Sequence, residues 1–303
     1  MSTRPTDSGA VPRPKTTVLT LREKHRLGQP ISVLTAYDYP TASAVDAAGV
    51  DAILVGDSLA MVVLGHPNTL AVTMDEMLHH ARAVARGGRS ALLIGDLPFL
   101  SYQADTAEAV RNAGHFLQAG MDAVKLEGGR HLAETVGAIV RAGIPVMGHV
   151  GLTPQSVNAM GGFRVQGRTA VAARAILDDA LALQEAGCFA VVLESVPYRV
   201  ADHITRRLSI PSIGIGAGAG TSGQVLVIHD LLGLYDKRSP KFAKRYAELG
   251  TLQAEAIAAY KREVEDRTFP TRDHAYAIPE DEWQAFVQSP AQRRPSSLKG
   301  ARR

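Results

Sequence analysis

The sequence predicts an α/β protein, a (β/α)8 TIM barrel with a C-terminal helical extension. Short apolar segments of strand length alternate with amphipathic helical patterns, which indicates parallel strands joined by right-handed crossovers. Eight such segments favour a closed barrel over an open doubly wound sheet, although periodicity alone fits either arrangement. Several segments end on an acid or a histidine, where a buried strand gives way to a cleft.

The predicted strands are short apolar runs, and they cover residues 31–36, 52–55, 91–94, 123–126, 145–148, 190–193, 212–215 and 225–228. Helical periodicity separates several of them, most clearly over residues 73–85, 106–119 and 170–185. A further helical pattern over 241–265 follows the last strand and exceeds what barrel closure requires. We expect this extension to pack on the barrel or on a neighbouring subunit rather than to form a second domain.

A chain of 303 residues is long enough for one large barrel domain. We expect residues 17–286 to form this single domain with its helical extension. Residues 1–16 are predicted to be a disordered leader, and residues 287–303 a disordered basic tail. These two ends carry net charges of +2 and +5, so the total of +3 leaves about −4 for the rest of the chain. The basic balance therefore belongs to the ends, and no nucleic-acid partner is predicted.

The composition is that of a soluble globular protein, with 46% apolar and 21% charged residues. No apolar run approaches the length of a membrane span, and the N-terminus lacks the pattern of a signal peptide. The single cysteine, Cys188, lies in an apolar segment and is expected to be a buried free thiol. These features predict a cytoplasmic protein without a membrane partner.

Three acids follow neighbouring predicted strands: Asp57 after the second, Asp96 after the third and Glu127 after the fourth. Carboxylates brought this close raise one another's pKa unless a cation lies among them. Oxygen ligands with room for water and substrate suit Mg²⁺, whereas zinc would be expected to recruit histidine or cysteine. We therefore predict a metal site, and the alternative is that each acid only caps the helix that follows it.

Lys125 lies two residues before Glu127, so strand alternation places both side chains on one face. It either holds an anionic substrate or forms an ion pair with one of the acids. Glu194 ends the sixth strand, away from the acid cluster, and a carboxylate kept off the metal suits a general base. His149 ends the fifth strand, where it either does similar work or hydrogen-bonds within its loop.

Two loops complete the predicted site. The glycine-rich stretch 213–223 either cradles an anion through its amides or lets the backbone turn sharply into strand eight. The long stretch 151–168 is either a mobile lid or an ordered surface loop.

The chain resembles the ketopantoate hydroxymethyltransferase family, also called 3-methyl-2-oxobutanoate hydroxymethyltransferase, over roughly residues 16–275. The resemblance is carried, in order, by LTAYDYPTA, VGDSLAMVVLGHPNTLAVT, GDLPF, VKLEGG, GHVGLTPQSVNAMGGFRVQGR, VLESVP, IPSIGIGAGAGTSGQVLVIHDLLGL and PKFAKRY. The long middle motifs are specific, and chance does not produce so many of them in the right order.

The resemblance implies a magnesium-dependent enzyme of pantothenate synthesis, which transfers a one-carbon unit from 5,10-methylenetetrahydrofolate to 3-methyl-2-oxobutanoate. It associates Mg²⁺ with Asp57, Asp96 and Glu127. It implies that the keto acid is held by Asp57, Ser58, Asp96 and Lys125, and that Glu194 is the catalytic proton acceptor. It also implies a homo-oligomer, often a decamer.

Two other functions stand beside this one. The first is a Mg²⁺-dependent carbon–carbon lyase or mutase of the phosphoenolpyruvate mutase-like barrel type, which needs a basic clamp for phosphate or a second carboxylate. The sequence around Glu194 offers no clear clamp. The second is a barrel that binds a small anion without chemistry, against which the intact acids at the expected strand ends argue.

Overall fold

The protein is described by a computed structural model that covers residues 13–235 and 240–288. Within these residues the strands form a closed parallel barrel in sequence order, in which the last strand pairs with the first. The strands are β1 (Ile31–Thr35), β2 (Ala52–Val55), β3 (Leu92–Asp96), β4 (Ala123–Lys125), β5 (Val146–Gly151), β6 (Ala190–Glu194), β7 (Ser212–Ile215) and β8 (Gly223–Leu226). The predicted (β/α)8 barrel is confirmed.

Helices connect the strands of the described chain and continue beyond the barrel. They are α1 (Val18–Arg26), α2 (Tyr39–Ala47), α3 (Leu59–Val62), α4 (Met74–Gly87), α5 (Thr106–Gln118), α6 (Ala133–Arg141), α7 (Ala170–Glu185), α8 (Tyr198–Thr205), α9 (Ile228–Leu232), α10 (Leu249–Glu265) and α11 (Glu280–Gln288). Three long outer helices begin at a side-chain cap. Thr73, Asp105 and Thr169 each accept a hydrogen bond from the backbone N–H three residues later.

The last strand lies two residues earlier than the predicted 225–228. A Cβ at Gly223 would lie 2.3 Å from the backbone oxygen of Ile31, so this close strand approach requires glycine, a residue depleted in strands. Ile228 begins α9 instead of ending the strand. Its backbone N–H donates to Thr35 Oγ1 at 2.9 Å.

The helical extension begins at Leu249 rather than at residue 241. Residues 241–248 run irregularly, because the N–H of Tyr246 donates to the backbone oxygen of Leu231 at 2.8 Å and not to a preceding helical turn. The prediction of a helix over 241–265 is therefore wrong for its first two turns and correct for the remainder.

Every second strand residue points into the barrel, and these side chains form one buried cluster. Its strand members include Ile31, Val33, Leu54, Leu92, Ile94, Met147, Val192, Ile213 and Val225. Leu21 of α1 is fully buried in the same cluster, so α1 closes the N-terminal end of the barrel. The alternate residues pack against the helices in a second cluster. The open end is therefore the one at which the strands finish.

The described part of the predicted leader, residues 13–16, contacts the barrel. Lys15 Nζ lies 2.6 Å from Asp122 Oδ2, and the N–H of Thr16 donates to the oxygen of Ser90 at 2.6 Å. Residues 1–12 lie outside the described residues. Of the predicted basic tail, only Val287 and Gln288 are described, at the end of α11.

The chain divides into two compact units, Met1–Glu248 and Leu249–Arg303. The second unit holds α10, a 3-10 turn at Arg272–His274 and α11. Aromatic contacts hold parts of it together, since the ring of Phe269 lies 5.7 Å from that of Tyr260 and 5.0 Å from that of His274. No helix among the described residues is both long and apolar enough to cross a membrane.

Candidate active site

Strand alternation places four chemical groups at the open end of the barrel. Because Ile94, Ala123, Met147 and Val192 belong to the interior cluster, the residues two positions later face the same side. These are Asp96, Lys125, His149 and Glu194. Asp96 and Lys125 are direct partners in the register of β3 and β4.

Lys125 and Asp96 form a buried ion pair, with Nζ 2.8 Å from Oδ1 and 2.7 Å from Oδ2. Glu127 Oε1 stands 3.8 Å from the same Nζ. Burial disfavours the charged lysine, but the neighbouring carboxylates outweigh it and raise the pKa of Lys125 above its ordinary value. Lys125 thus forms the ion pair that is one of the two roles left open for it, and its role in holding an anionic substrate stays a prediction.

Asp57 joins the cluster from the turn after β2. Its backbone N–H donates to Asp96 Oδ2 at 3.3 Å, and its side chain is buried. Ser58 follows it in the chain. The hydroxyl oxygen of Ser58 lies 2.9 Å from that of Tyr37. Burial, and then the charges of Asp96 and Glu127, raise the pKa of Asp57 well above its ordinary value.

His149 stands between two carboxylates. Its Nδ1 lies 3.4 Å from Glu127 Oε1 and its Nε2 lies 3.3 Å from Glu194 Oε2. Neither nitrogen is aligned for a hydrogen bond, so the attraction is one of charge. Burial and the nearby Lys125 oppose protonation, but the two carboxylates outweigh them and raise the pKa of His149 to about 9. His149 thus links the acid cluster to Glu194 through its two ring nitrogens.

Gln155 is a site residue that the sequence did not single out. It lies in a 3-10 turn, Pro154–Ser156, after β5, and its side chain is buried. Its Nε2 donates to Asp57 Oδ2 at 3.0 Å, and its backbone N–H donates to Glu127 Oε2 at 2.9 Å. Tyr102 donates to Gln155 Oε1 at 2.6 Å and thereby fixes the amide. The only available signal was the position of Gln155 inside a motif of the resemblance.

The acids of the cluster differ in their readiness to ionise. Burial raises the pKa of Asp96, and Lys125 offsets only part of this effect. Burial acts in the same direction on Glu127, but His149 and Lys125 outweigh it and leave the pKa of Glu127 below its ordinary value. Without a further cation, Asp57 is thus the carboxyl group whose ionisation costs most.

The donor set fits a magnesium ion that keeps water and substrate among its ligands. Among the described residues, no three His, Cys, Asp or Glu side chains are arranged to chelate one ion. Mg²⁺ needs only one or two carboxylates besides water and substrate oxygens. Glu127 Oε1 is buried without a hydrogen-bond partner within the described residues.

The site opens into a cavity of about 700 Å³ at the strand ends. Ser195, next to Glu194, lines it in the left-handed region with φ 50°, an uncommon backbone conformation that is frequent at functional sites. From the stretch 151–168, Gln155 is buried beneath the acids, while Phe163 and Val165 reach the cavity mouth.

The glycines of the stretch 213–223 allow close packing of the chain on itself. A Cβ at Gly216 (φ +63°) would lie 2.9 Å from the ring of Phe242, and one at Gly218 (φ +81°) would lie 2.5 Å from Tyr198 Cβ. These contacts explain the two glycines by packing alone, and anion binding by the stretch stays a prediction.

Solved structures with a similar fold include a phosphonopyruvate hydrolase, with a TM-score of 0.58 and 14% identity over 92% of this chain and 99% of that one. A phosphoenolpyruvate phosphomutase from Streptomyces platensis subsp. rosaceus gives a TM-score of 0.56 and 18% identity over 89% and 98%. At this identity the likeness concerns the barrel fold alone.

Sequence comparison is more specific. A chain from Oleidesulfovibrio alaskensis named 3-methyl-2-oxobutanoate hydroxymethyltransferase is 58% identical over 260 residues, which are 86% of this chain and 90% of that one. A chain of the same name from Nitratidesulfovibrio vulgaris is 54% identical over 294 residues, 95% of each. The family profile of ketopantoate hydroxymethyltransferase matches residues 15–272. This chain therefore belongs to the ketopantoate hydroxymethyltransferase family.

Proposed function

We propose that the protein is a 3-methyl-2-oxobutanoate hydroxymethyltransferase, which uses 5,10-methylenetetrahydrofolate to form 2-dehydropantoate in pantothenate and coenzyme A synthesis. One observation carries the proposal: Glu194, a carboxylate outside the lysine-centred acid cluster, faces the same cavity as the cluster and is linked to it by His149. Relatives of this name that are 54–58% identical support the substrate.

The keto acid binds where its negative charge meets a cation. Lys125 lines the cavity and offers its ammonium to the substrate carboxylate or to the developing enolate. Ser58 lines the same wall and can donate its hydroxyl. One or two carboxylates from the set Asp57, Asp96 and Glu127 would hold Mg²⁺ together with oxygens of water and substrate, and the ion would polarise the 2-keto oxygen as a Lewis acid.

Glu194 removes the proton from C3 of the keto acid. The electron pair of the broken carbon–hydrogen bond moves into the enolate, and its charge develops on the oxygen near Lys125. His149 Nε2 lies 3.3 Å from Glu194 Oε2 and would hold this carboxylate in place by charge. The carboxylates thus divide two tasks. Glu194 transfers the proton, and the buried acids of the cluster bind the cation.

The enolate carbon then attacks the methylene carbon of the folate or of its opened iminium form. Both carbon–nitrogen bonds of that methylene group are broken in the overall reaction. C3 of the keto acid replaces one nitrogen, and the hydroxyl of a water molecule replaces the other. The products are 2-dehydropantoate and tetrahydrofolate, which keeps atoms and charge in balance.

Proton exchange tests the proposal most directly. Purified protein is mixed with 3-methyl-2-oxobutanoate in deuterium oxide, with and without Mg²⁺, and C3 deuteration is followed by NMR. We expect exchange that depends on Mg²⁺, followed by consumption of the keto acid when methylenetetrahydrofolate is added. A folded, metal-loaded sample that does neither would falsify the proposal. A panel of 2-keto acids with and without folate separates it from a lyase or mutase of the phosphoenolpyruvate mutase-like type.

Family membership also supports a homo-oligomer, and we propose a decamer. We propose that it acts on dissolved small molecules in the cytoplasm. Light scattering of the purified full chain checks the subunit number. A mass equal to one chain would contradict it.

A further inference from the structure

The cavity is larger than the acid cluster and a small keto acid require. Its volume of about 700 Å³ lies within the range of roughly 300–1,000 Å³ that is usual for drug-sized ligands. Its mouth is walled by apolar side chains, among them Phe163, Val165 and Phe242, which are 37–53% exposed. The cavity therefore has room for a second ligand beside the keto acid, next to these apolar side chains.

A second carboxylate outside the acid cluster lines the same cavity. Asp230 lies in α9, after the last strand, and is 7% exposed. Tyr235, which also lines the cavity, donates its hydroxyl to Asp230 Oδ1 at 3.0 Å. The chain reverses at Gly233, in the left-handed conformation with φ 59°, and this turn brings Tyr235 back onto the aspartate.

Aromatic packing holds this pair in place. The ring of His229 stacks on Tyr235 with centroids 6.1 Å apart, and its centroid lies 5.5 Å from that of Tyr37. Tyr37 in turn touches Ser58, so the pair is built onto the rim of the keto-acid site. A carboxylate fixed in this way is prepared to accept hydrogen bonds from a bound ligand.

A further polar group faces the same space. Thr69 lines the cavity with its side chain 2% exposed, and Thr69 Oγ1 has no hydrogen-bond partner among residues 13–235 and 240–288. A buried hydroxyl without a partner costs free energy unless a ligand or water satisfies it. Apolar walls with a few fixed polar groups are the usual composition of a small-molecule site.

We propose that Asp230, oriented by Tyr235, binds the donor edge of the pterin ring of the folate co-substrate. This inference rests on the proposed function, which requires a reduced pterin beside the keto acid. A pterin presents a ring N–H and an exocyclic amino group side by side, and both are donors. A carboxylate that only accepts hydrogen bonds matches this edge, while Phe163 and Phe242 offer apolar surface to the ring.

The first test measures binding of tetrahydrofolate by fluorescence titration under anaerobic conditions. Loss of a charge-assisted hydrogen-bond pair is expected to raise Kd about 10- to 100-fold in Asp230→Asn. Tyr235→Phe, which keeps the ring but removes the donor, is expected to raise Kd by less. Asp75→Asn, at an exposed position in α4, is the matched control and is expected to bind like the parent protein.

C3 exchange of the keto acid, measured without folate, separates the two proposals. Exchange that persists in Asp230→Asn together with weakened tetrahydrofolate binding supports the pterin site. Unchanged tetrahydrofolate affinity in Asp230→Asn, or equal loss of exchange and binding, overturns it. If the parent protein shows no exchange at all, the proposed function itself fails.

A ligand-side test gives its first result on the parent protein alone, and that result does not depend on the folding of a variant. A folate analogue that lacks the 2-amino group is expected to bind the parent protein more weakly than tetrahydrofolate, and Asp230→Asn is expected to discriminate far less between the two. Equal affinity of the parent protein for both ligands excludes recognition of the amino edge by Asp230.

Discussion

Lys125 is the cation that balances the buried acids, and its removal has a calculable consequence. Lys125→Met keeps an unbranched side chain of similar length but removes the cation that contacts both oxygens of the buried Asp96 at 2.7–2.8 Å. We expect a loss of about 3–5 kcal/mol in the free energy of unfolding of the metal-free protein. Chemical denaturation monitored by circular dichroism measures this loss.

Lys15 supplies the matched control for that experiment. It also pairs with an aspartate, Asp122, at 2.6 Å, but the two side chains are 37% and 34% exposed. Lys15→Met is therefore expected to cost only about 0–1 kcal/mol. Equal losses in the two variants would show that burial does not set the strength of the Lys125 pair.

Glu194 tests the division of work between the carboxylates. Glu194→Gln retains the shape of the side chain but cannot accept the C3 proton. We expect deuterium exchange to fall by about 10²–10⁴-fold, while binding of 3-methyl-2-oxobutanoate is largely kept. Glu134→Gln, an exposed change in the first turn of α6, serves as control. Exchange at the parental rate in Glu194→Gln assigns the base to another group.

At the scale of elements, β5 and β6 share a contact that depends on one glycine. Gly151 ends β5 with φ +95°, and a Cβ there would lie 2.4 Å from the backbone oxygen of Glu194. Gly151→Ala must displace Glu194, so we expect a sharp loss of C3 exchange and of thermal stability. Gly143→Ala is the matched control. Its φ is also positive, at +85°, but nothing lies within 4 Å of the added Cβ.

The comparison of these two glycine variants separates backbone strain from displacement of the base. A left-handed conformation costs a residue with a Cβ about 1–2 kcal/mol, and both variants carry this cost. Only Gly151→Ala is expected to lose exchange beyond what its stability explains. Similar kinetics in both variants at a temperature where both are folded would contradict the structural account.

The 3-10 turn at Pro154–Ser156 supports the acids from the side of the loop. Gln155→Leu removes the amide that donates to Asp57 and to the oxygen of Leu97. Loss of such a supporting contact typically costs 10- to 100-fold in metal affinity. We therefore expect Mg²⁺ binding to Gln155→Leu, measured by calorimetry, to weaken by about this factor. Gln166→Leu is the control. Among the described contacts the side chain of Gln166 bonds only to the oxygen of Arg164, so this variant is expected to change Mg²⁺ binding little.

The elements explain which parts of the site the sequence predicts. The sequence predicts Asp96 and Glu194 because a charge that ends an apolar run marks the point where a buried strand meets a cleft. The sequence does not predict Gln155, since an uncharged amide in a polar loop gives no periodic or electrostatic signal. The start of β8 was missed for a related reason: Gly223 is selected by contact with Ile31, in a strand nearly two hundred residues earlier in the chain. The roles of the site residues remain predictions.

At the scale of the molecule, the closed barrel turns groups that are far apart in sequence into one site. Because neighbouring parallel strands end at the same rim, Asp57, Asp96 and Glu127 converge although each comes from a different βα unit. The barrel core fixes the positions of these acids. Repulsion among their charges therefore destabilises the folded state. The stability of the whole protein should therefore respond to the cation that neutralises them.

Thermal unfolding with and without Mg²⁺ measures this coupling. At a free concentration about one hundred times Kd, a ligand bound only by the folded protein stabilises it by about 2.7 kcal/mol. We expect a corresponding rise in the unfolding midpoint, with an equal ionic strength of NaCl as control.

Asp57→Asn removes the carboxyl group whose ionisation burial and the neighbouring acids oppose most. The metal-free variant should therefore unfold at the parental temperature or above it, and Mg²⁺ should no longer raise its midpoint. A variant that Mg²⁺ still stabilises fully would place the ion away from Asp57, and a variant that is less stable without metal would contradict the repulsion among the acids.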